Sequence, residues 1–247
     1  MTLNLNYYSN NHGDWQYRKH LIADVISANK PDLIAFQAVA RNPEIDGGID
    51  QAFQIAHLVD DYPHRAFHPA EVFPAEGVQG SAILSRYPFI EIGQLKLSLL
   101  PDLEDRNHRI VLHACVDHGD GAIDLFNTHF SWVTDQVRRN VAEALPFFNA
   151  ARNPALVVGD FNMTPDSPDL QQIHATGWID VWKRFHPNEP GFTFESNAPS
   201  MRIDYALANS SLAPYLQTIE LLRGGPNSRN ARLSDHLGLL ITLTTPP

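Results

Sequence analysis

The stretch Ala155-Leu-Val-Val-Gly-Asp-Phe-Asn162 joins a short apolar run to a polar end. Four apolar residues without alternation are typical of a strand that is buried on both faces. Asp160 and Asn162 follow two positions apart, so their side chains share one face of an extended chain. Such a pair suits the binding of a metal-bound water or a phosphate oxygen, but Asp and Asn are also common turn residues. Both interpretations stay open at this point.

The residues before this stretch predict a strand followed by a helix. Residues 122–129 alternate as a strand does, and residues 133–151 have helical spacing that Pro146 interrupts. Together with the buried run, they form a strand–helix–strand unit in the second half of the chain.

The first part of the chain has the same order of elements. An opening strand at residues 2–5 is followed by a helix over residues 15–29 and by a second buried run at residues 33–36, which we expect to end at Gln37. The two units have similar spacing. The sequence therefore predicts two related halves that pack together.

Further strands are expected between and after these units. They are Ser81–Ser85, Ile90–Leu97, Arg109–Val116, Arg202–Leu207, Thr218–Leu222 and Leu237–Leu243. Many antiparallel neighbours and few helices predict two packed sheets with helices outside them. Surface loops are expected at residues 44–48, 187–199 and 223–230, and a single domain is expected over residues 1–247.

Composition restricts the possible partners. The 247 residues are 43% hydrophobic and 19% charged, which is ordinary for a soluble globular protein. With 18 Lys and Arg against 28 Asp and Glu, the net charge is −10, and no basic cluster occurs in the sequence. Strong binding to nucleic acid is therefore not expected, since it depends on clustered cations.

The one cysteine, Cys115, lies in an apolar strand pattern, so it cannot form an internal disulfide. No basic and apolar leader precedes the opening strand, and no apolar run is long enough to span a membrane. We therefore expect a cytoplasmic protein without a membrane span.

Three more polar motifs lie at the ends of predicted strands. In Ser234-Asp-His236 a carboxylate stands beside an imidazole, which suits a general base for water. Asn127-Thr-His129 ends a strand in the second half. In Arg202-Ile-Asp-Tyr205 a carboxylate interrupts a core strand, so Asp204 needs a partner such as a His, a metal or Arg202.

In this order the motifs resemble the endonuclease/exonuclease/phosphatase superfamily, the fold of pancreatic deoxyribonuclease, exonuclease III and bacterial sphingomyelinase. The resemblance covers essentially the whole chain. It begins at Thr2–Leu5, with Asn4 rather than Asn6 as the metal-site asparagine, and passes through Pro31–Gln37 and Gly80–Arg86 to the motifs above. It implies an α+β, four-layer α/β/β/α sandwich and a hydrolase of phosphoester bonds that uses Mg²⁺ or Mn²⁺.

The resemblance also implies a role for each polar residue. His236 would be the base or a phosphate-contacting imidazole, oriented by Asp204, and Asp235 would be a metal ligand or lie next to one. Asp160 and Asn162 would position the attacking water and the phosphate. His129 would bind a phosphoryl oxygen or act as the acid.

One position departs from the family. The family has a Glu, its main carboxylate ligand for Mg²⁺, after the residue that corresponds to Gln37, whereas this chain has Ala38. Asp50 or Glu76 would compensate for the loss, and we favour this explanation because the remaining site positions keep their residue types. Two further explanations are an engineered inactivating change and a catalytically silent protein that binds phosphate ligands or partners.

The substrate is expected to be a small phosphoester or a short nucleic acid, bound by a monomer. Tyr7, Tyr8, Trp15 and Trp132 are candidates for stacking on a base or headgroup, although such residues more often belong to the core. A zinc hydrolase is a weaker hypothesis, because no closely spaced pair of histidines with a following carboxylate is present.

Overall fold

The computed structural model describes residues 1–73, 77–224 and 232–244. The helices and strands, in chain order, are β1 (Thr2–Asn4), α1 (Trp15–Asn29), β2 (Leu33–Arg41), α2 (Gln51–Ala56), β3 (His64–Phe73), β4 (Gly77–Ser85), β5 (Phe89–Leu97), β6 (Arg109–Asp117), β7 (Ala122–His129), α3 (Thr134–Asn149), β8 (Ala155–Asp160), α4 (Pro168–Ala175), β9 (Ile179–Asp180), α5 (Val181–Phe185), β10 (Asp204–Ala208), β11 (Leu216–Leu222) and β12 (Gly238–Leu243).

These strands form two six-stranded sheets with matching arrangements. The first sheet has the order β11-β12-β1-β2-β4-β3, and the second has the order β5-β6-β7-β8-β10-β9. In each sheet a parallel pair, β1 with β2 or β7 with β8, lies at the centre and has antiparallel neighbours on both sides. The predicted pair of related halves is confirmed.

Three apolar clusters define the layers. One lies between the sheets and combines strand residues of both, such as Ala35 and Ile83 with Leu112 and Leu125. A second packs α1 and α2 on the outer face of the first sheet, and a third packs α3 and α4 on the outer face of the second. This is the expected α/β/β/α sandwich, in which each helix buries one stripe and each sheet buries both faces.

Local sequence explains the limits of α1. The Asp14 side chain accepts a hydrogen bond from the Gln16 N–H at the start of the helix. At its end Lys30 takes a left-handed conformation and its N–H donates to the Ile26 carbonyl oxygen. Both are common ways to satisfy groups that a helix end leaves unpaired.

The expected end of β2 at Gln37 is wrong. Pairing between β2 and β4 shifts register between Phe36 and Val39, and the strand then continues to Arg41. Ala38 lies within this bulge with φ of 50°, and its carbonyl oxygen accepts a hydrogen bond from the Tyr7 N–H. A bulge inserts an extra residue and turns the strand locally, which a pattern of apolar residues does not reveal.

Buried amides tie the two sheets together. The Gln37 amide donates to the Asn127 side-chain oxygen at 2.7 Å and to the Thr2 hydroxyl at 2.8 Å. Asn127 in turn donates to the carbonyl oxygens of Phe36 and Ala82 in the first sheet. Since both amides are fully buried, these bonds fix the relative position of the sheets just below the strand ends.

The sequence patterns did not predict five elements, namely the ten-residue strand β3 and the shorter α2, α4, β9 and α5. Of the expected loops, residues 187–199 contain none of these helices or strands, while residues 225–230 lie outside the described residues. In residues 44–48 the chain makes a short 3₁₀ turn at Asp46–Gly48. Within the described ranges, none of the helices combines the length and apolar character needed to cross a membrane.

Candidate active site

Polar residues meet where the central strands of both sheets end. Asn4 is the last residue of β1, His129 of β7 and Asp160 of β8, while Asp204 is the first residue of β10. In the second sheet Asp160 pairs in register with His129 on one side and with Asp204 on the other. Gly159 allows β7 and β8 to approach closely at this end, because a Cβ there would lie 2.0 Å from the Thr128 carbonyl oxygen.

Asp160 is at the centre of this group. Its Oδ2 accepts a hydrogen bond from Asn4 Nδ2 at 2.9 Å, across the gap between the sheets. The same oxygen lies 3.4 Å from His129 Nε2 and 3.7 Å from His236 Nε2. Its Oδ1 accepts from the Asn162 N–H at 2.9 Å. One buried carboxylate is thus surrounded by side chains of three other predicted site residues.

His236 is held by Asp204. The His236 Nδ1 lies 2.8 Å from Asp204 Oδ2, and Nε2 faces Asp160 and also Asn4 Nδ2, 3.5 Å away. The Phe194 ring packs on the imidazole with ring centres 4.9 Å apart. Donation from Nδ1 leaves Nε2 as the nitrogen that faces the cluster. Asp204 therefore meets a His, which is one of the partners that the sequence predicted.

The Arg202 partner suggested for Asp204 is wrong. Arg202 instead forms a bidentate ion pair with Asp180, with N–O distances of 2.7 and 3.1 Å. Both carboxylates are thereby compensated separately, because Asp204 uses a histidine and Asp180 an arginine.

Charge and burial set the protonation of the cluster. Burial alone would lower the pKa of His236, but the carboxylates of Asp204 and Asp160 outweigh it and hold that pKa well above its usual value. Burial also raises the pKa of Asp160, and the charge of His236 offsets part of the rise. Burial, with the charges of Arg109 and His236, lowers the pKa of His129. The two imidazoles thus shift in opposite directions, His236 toward the charged form and His129 toward the neutral form.

The remaining sequence candidates contribute at the edge of the cluster. Asp235 Oδ1 lies 4.0 Å from His236 Nε2 and accepts from the Ser234 hydroxyl at 2.9 Å. Asn162 takes a left-handed conformation and donates its side-chain amide to the Phe130 carbonyl oxygen at 2.9 Å. Its backbone and side chain thus join the end of β8 to the loop after His129.

Two of the expected metal residues have other contacts. Asn4 turns its Oδ1 toward the Asn6 N–H, at 2.8 Å, while its amide nitrogen faces Asp160. Asp50 caps α2, where its Oδ1 accepts from the Phe53 N–H at 3.0 Å. Glu76 lies outside the described residues.

The chemistry of the donors tests whether a divalent cation fits. Among the described residues one group, Asp160, Asp204 and His236, places possible ligand atoms within 4.8 Å of one another. Two buried carboxylates with a single cationic partner favour a further positive charge, so the site fits in charge. Ala38 is buried and offers no ligand atom, so the number of protein oxygens is low for Mg²⁺.

Sequence analysis missed Arg109. This guanidinium is almost fully buried at the start of β6 and binds Asp105 at 2.8 Å, while its Nε has no hydrogen-bond partner among the described atoms. Ser131 also donates to Asp105, at 2.6 Å. The charge of Arg109 acts on His129 and on the hydroxyl of Tyr7, whose pKa is raised chiefly by burial. An arginine at the start of an apolar strand was the available signal.

The stacking interpretation is wrong for Trp15. Its indole is buried in the core, donates to Gln54 Oε1 at 2.7 Å and meets the edge of the Tyr8 ring. Tyr7 is partly buried, and the charge of Arg109 acts on its hydroxyl, whereas Trp132 is half exposed beyond the end of β7.

Comparison with solved structures shows the same fold in proteins of low identity. An endonuclease/exonuclease/phosphatase from Bacteroides vulgatus is 20% identical with a TM-score of 0.77, over 98% of this chain and 97% of that chain. A mannosyl-6-phosphatase from Bacteroides thetaiotaomicron is 18% identical with a TM-score of 0.74, over 99% and 98%. An AP endonuclease from Archaeoglobus fulgidus is 22% identical with a TM-score of 0.67, over 99% and 98%.

None of the curated proteins matches the sequence significantly. The model of the endonuclease/exonuclease/phosphatase family matches residues 1–236. This span contains both strand–helix–strand halves and every member of the buried cluster. The chain therefore belongs to the endonuclease/exonuclease/phosphatase family.

Proposed function

We propose that this chain hydrolyses phosphoester bonds by attack of water on phosphorus at the cluster of Asp160, Asp204 and His236. The observation that carries the proposal is the Asp204–His236 hydrogen bond, which directs His236 Nε2 at Asp160. An imidazole fixed by one carboxylate and facing another is suited to move a proton to or from water. Proteins with this fold include a phosphatase and an AP endonuclease.

The roles follow from charge and position. His236 is the base or the imidazole that contacts the phosphoryl group, and Asp204 keeps its Nε2 directed inward. Asp160 and Asn162 position the water and the phosphate. His129 either binds a phosphoryl oxygen or acts as the acid. The charge of Arg109 acts on His129 and would therefore favour a phosphoryl oxygen bound there.

Asp160 and Asp204 are the carboxylates that would hold a divalent cation, with Asn4 and Asp235 at their sides. When bound, Mg²⁺ or Mn²⁺ supplies positive charge for the phosphoryl oxygens and lowers the pKa of a bound water. Because Ala38 contributes no oxygen, we expect weaker binding than in a protein with Glu at this position.

For the substrate we propose a small phosphoester or a short nucleic acid. The net charge of −10 opposes long polyanions, so a compact anion that reaches the buried cluster fits better. We also propose that the protein acts as a monomer in the cytoplasm.

A second candidate function is a catalytically silent protein that binds a phosphate ligand or a partner. Ala38 is the observation that favours it, because the family's main carboxylate ligand is missing. Such a protein would need neither proton transfer by His236 nor a divalent cation.

The test is hydrolysis of bis-p-nitrophenyl phosphate by the purified protein with and without Mg²⁺ or Mn²⁺, with His236→Ala as the blank. We expect metal-dependent turnover that the variant lacks. Ala38→Glu then separates the candidates: an increase in turnover and in Mg²⁺ affinity, measured by calorimetry, identifies Ala38 as the weak point of a hydrolase. If neither the unchanged protein nor Ala38→Glu hydrolyses diesters or monoesters, the hydrolase proposal is contradicted and the binding protein is favoured.

A further inference from the structure

Arg18 is a buried cation outside the cluster. It lies on the inward face of α1 in line with Trp15, Ile22 and Ile26, where its neighbours are apolar. Its side chain is fully buried. Burial lowers the pKa of Arg18 to about 10, so the guanidinium still carries its charge at neutral pH. A buried charge of this kind costs free energy unless dipoles or counter-charges compensate for it.

The guanidinium joins two chain segments that carry site residues. Its Nε and Nη2 donate to the Leu233 carbonyl oxygen at 3.1 and 3.0 Å, and Nη1 donates to the Ser9 carbonyl oxygen at 3.1 Å. Nη2 also donates to the Leu5 carbonyl oxygen. Leu5 directly follows Asn4, and Leu233 precedes Asp235 and His236.

These bonds lie where two strands of the first sheet part. β1 and β12 pair antiparallel at Thr2 and Leu239, so β1 continues from this pair to Asn4, and the segment that enters β12 comes from His236. Leu5 and Leu233 lie beyond this pair, on the side of the cluster. The planar guanidinium presents several N–H groups in a fixed arrangement, so it can hold the separated carbonyl groups in one geometry.

A second link comes from charge. The carboxylate of Asp235 favours the charged form of Arg18, so the two groups are close enough to interact electrostatically. Asp235 is also the neighbour of His236 in sequence and approaches its Nε2 to 4.0 Å. Arg18 therefore acts on the Asp235–His236 segment both through the Leu233 carbonyl and through charge.

We infer that Arg18 is a positioning residue of the site: it fixes the segment carrying Asp235 and His236 relative to the strand end carrying Asn4. The inference rests on the proposed function for its effect on turnover, but its structural part does not. Arg18 touches none of the reacting groups. Its contribution is the placement of His236 Nε2 opposite Asp160, and a displacement of about 1 Å in such a group is enough to slow a reaction on the order of 100-fold.

The test compares Arg18→Lys and Arg18→Gln with Ile26→Ala, a cavity-forming change on the same face of α1. Lys keeps the charge but cannot reach three carbonyl oxygens with one ammonium group, and Gln removes the charge. All proteins are compared at a temperature at which circular dichroism shows them folded. The first readout is the NMR signal of the His236 ring carbon Cε1, assigned with His236→Gln.

We expect the His236 signal to move in both Arg18 variants and to stay in place in Ile26→Ala. We also expect kcat for bis-p-nitrophenyl phosphate to fall about 10-fold to 100-fold in Arg18→Lys, with KM within about threefold of the unchanged protein. Ile26→Ala should lower Tm without this loss of kcat.

An unchanged His236 signal in folded Arg18→Lys would overturn the inference, as would a kcat that falls in Ile26→Ala by the same factor. If no protein turns over any phosphoester, the proposed function fails, but the NMR comparison still decides the role of Arg18. A signal displaced only in the Arg18 variants then supports positioning in a binding protein.

Discussion

The two halves of the molecule share an architecture but not a chemistry. In both, a parallel strand pair is joined by a helix and flanked by antiparallel strands. At the paired strand ends the first half has Asn4 opposite Gln37, whereas the second has His129 opposite Asp160. Equivalent backbone positions thus hold two neutral amides in one half and an ionisable pair in the other.

The difference shows how work is divided between the sheets. Gln37 is turned inward and binds Asn127 of the second sheet, so this strand end holds the halves together. Asp160 is directed at the cluster, where it meets groups from both sheets. Ala38 has no polar side-chain group. The polar side chains that the first sheet brings to the cluster are therefore Asn4 of β1 and those of Asp235 and His236, which precede β12. Equivalent strand ends therefore have different roles: Gln37 holds the two sheets together, and Asp160 supplies an ionisable group to the cluster.

The largest effect is expected in the second half, where Asp160 lies at the centre of the cluster. Asp160→Asn keeps the size of the side chain but removes the carboxylate that faces His236, so we expect phosphoester hydrolysis to fall about 10³-fold. Asp169→Asn, at a buried carboxylate on α4, is the control and should keep its activity. Initial rates with bis-p-nitrophenyl phosphate measure both. Equal rates for Asp160→Asn and the control would remove Asp160 from the mechanism.

Next in size is the ion pair of Asp105 and Arg109. Asp105→Asn leaves a buried guanidinium without its carboxylate, and we expect the free energy of unfolding in urea at pH 7 to fall by about 3–5 kcal/mol. Asp135→Asn breaks an exposed ion pair with Arg138 and should cost no more than about 1 kcal/mol. Similar losses in the two variants would show that burial of the pair is not decisive.

The same pair gives a pH dependence. Burial raises the pKa of Asp105, but the charge of Arg109 and the hydroxyl of Ser131 outweigh it, and the net pKa is lowered. A carboxyl group with a lowered pKa in the folded state stabilises the fold above its unfolded pKa, near 3.9, and loses this contribution as pH falls. The stability difference between the unchanged protein and Asp105→Asn should therefore shrink below about pH 4. A constant difference from pH 7 to pH 3 would contradict this.

A smaller effect is expected for the hydrogen bond between Gln37 and Asn127, which joins the two sheets. Gln37→Leu removes the donor for Thr2 and Asn127 while keeping side-chain volume, and we expect unfolding free energy to fall by about 1–3 kcal/mol. Asn127→Leu and the double variant complete a mutant cycle. A coupling energy near zero would mean that the 2.7 Å contact does not join the sheets energetically.

The smallest effect concerns the bulge. Ala38 has φ of 50°, a conformation that costs a residue with a Cβ free energy, so Ala38→Gly should change unfolding free energy by no more than about 1 kcal/mol and in the stabilising direction. Ala40→Gly, at a strand position with ordinary φ, should be destabilising by about 0.5–1 kcal/mol. Thermal unfolding measures both changes in stability. Stability changes of the same sign in the two variants would contradict backbone strain at Ala38.

Much of this comparison could be predicted from sequence. Repeated strand, helix and buried-run patterns indicated the two halves, because the periods of helices and strands are local properties. Polar residues at the ends of apolar strand patterns identified Asp160 after β8 and Asp204 and His236 at or before the starts of β10 and β12. The bulge at Ala38 and the short helices were missed because they depend on pairing with distant residues.

Arg18 and Arg109 illustrate the other limit. An arginine in an amphipathic helix or at a strand start is ordinarily exposed, and nothing nearby in sequence indicates that it is buried. The carbonyl oxygens of Leu5 and Leu233 reach Arg18 only after the first sheet has assembled. The donor to Asp160 from Asn4 likewise spans the two sheets, so its geometry is a result of the packing.

The position of β12 has a consequence for the order of folding. β12 is the last described strand to leave the ribosome, yet it lies inside the first sheet, between β11 and β1. The second sheet is complete once β10 has been made, whereas the first must wait for a strand more than 200 residues away from β1. Contacts of such long range form slowly. A nascent chain can therefore form the β8–β10 pairing that places Asp160 beside Asp204 before His236 has been made, and the cluster is complete only after β12 has joined the first sheet.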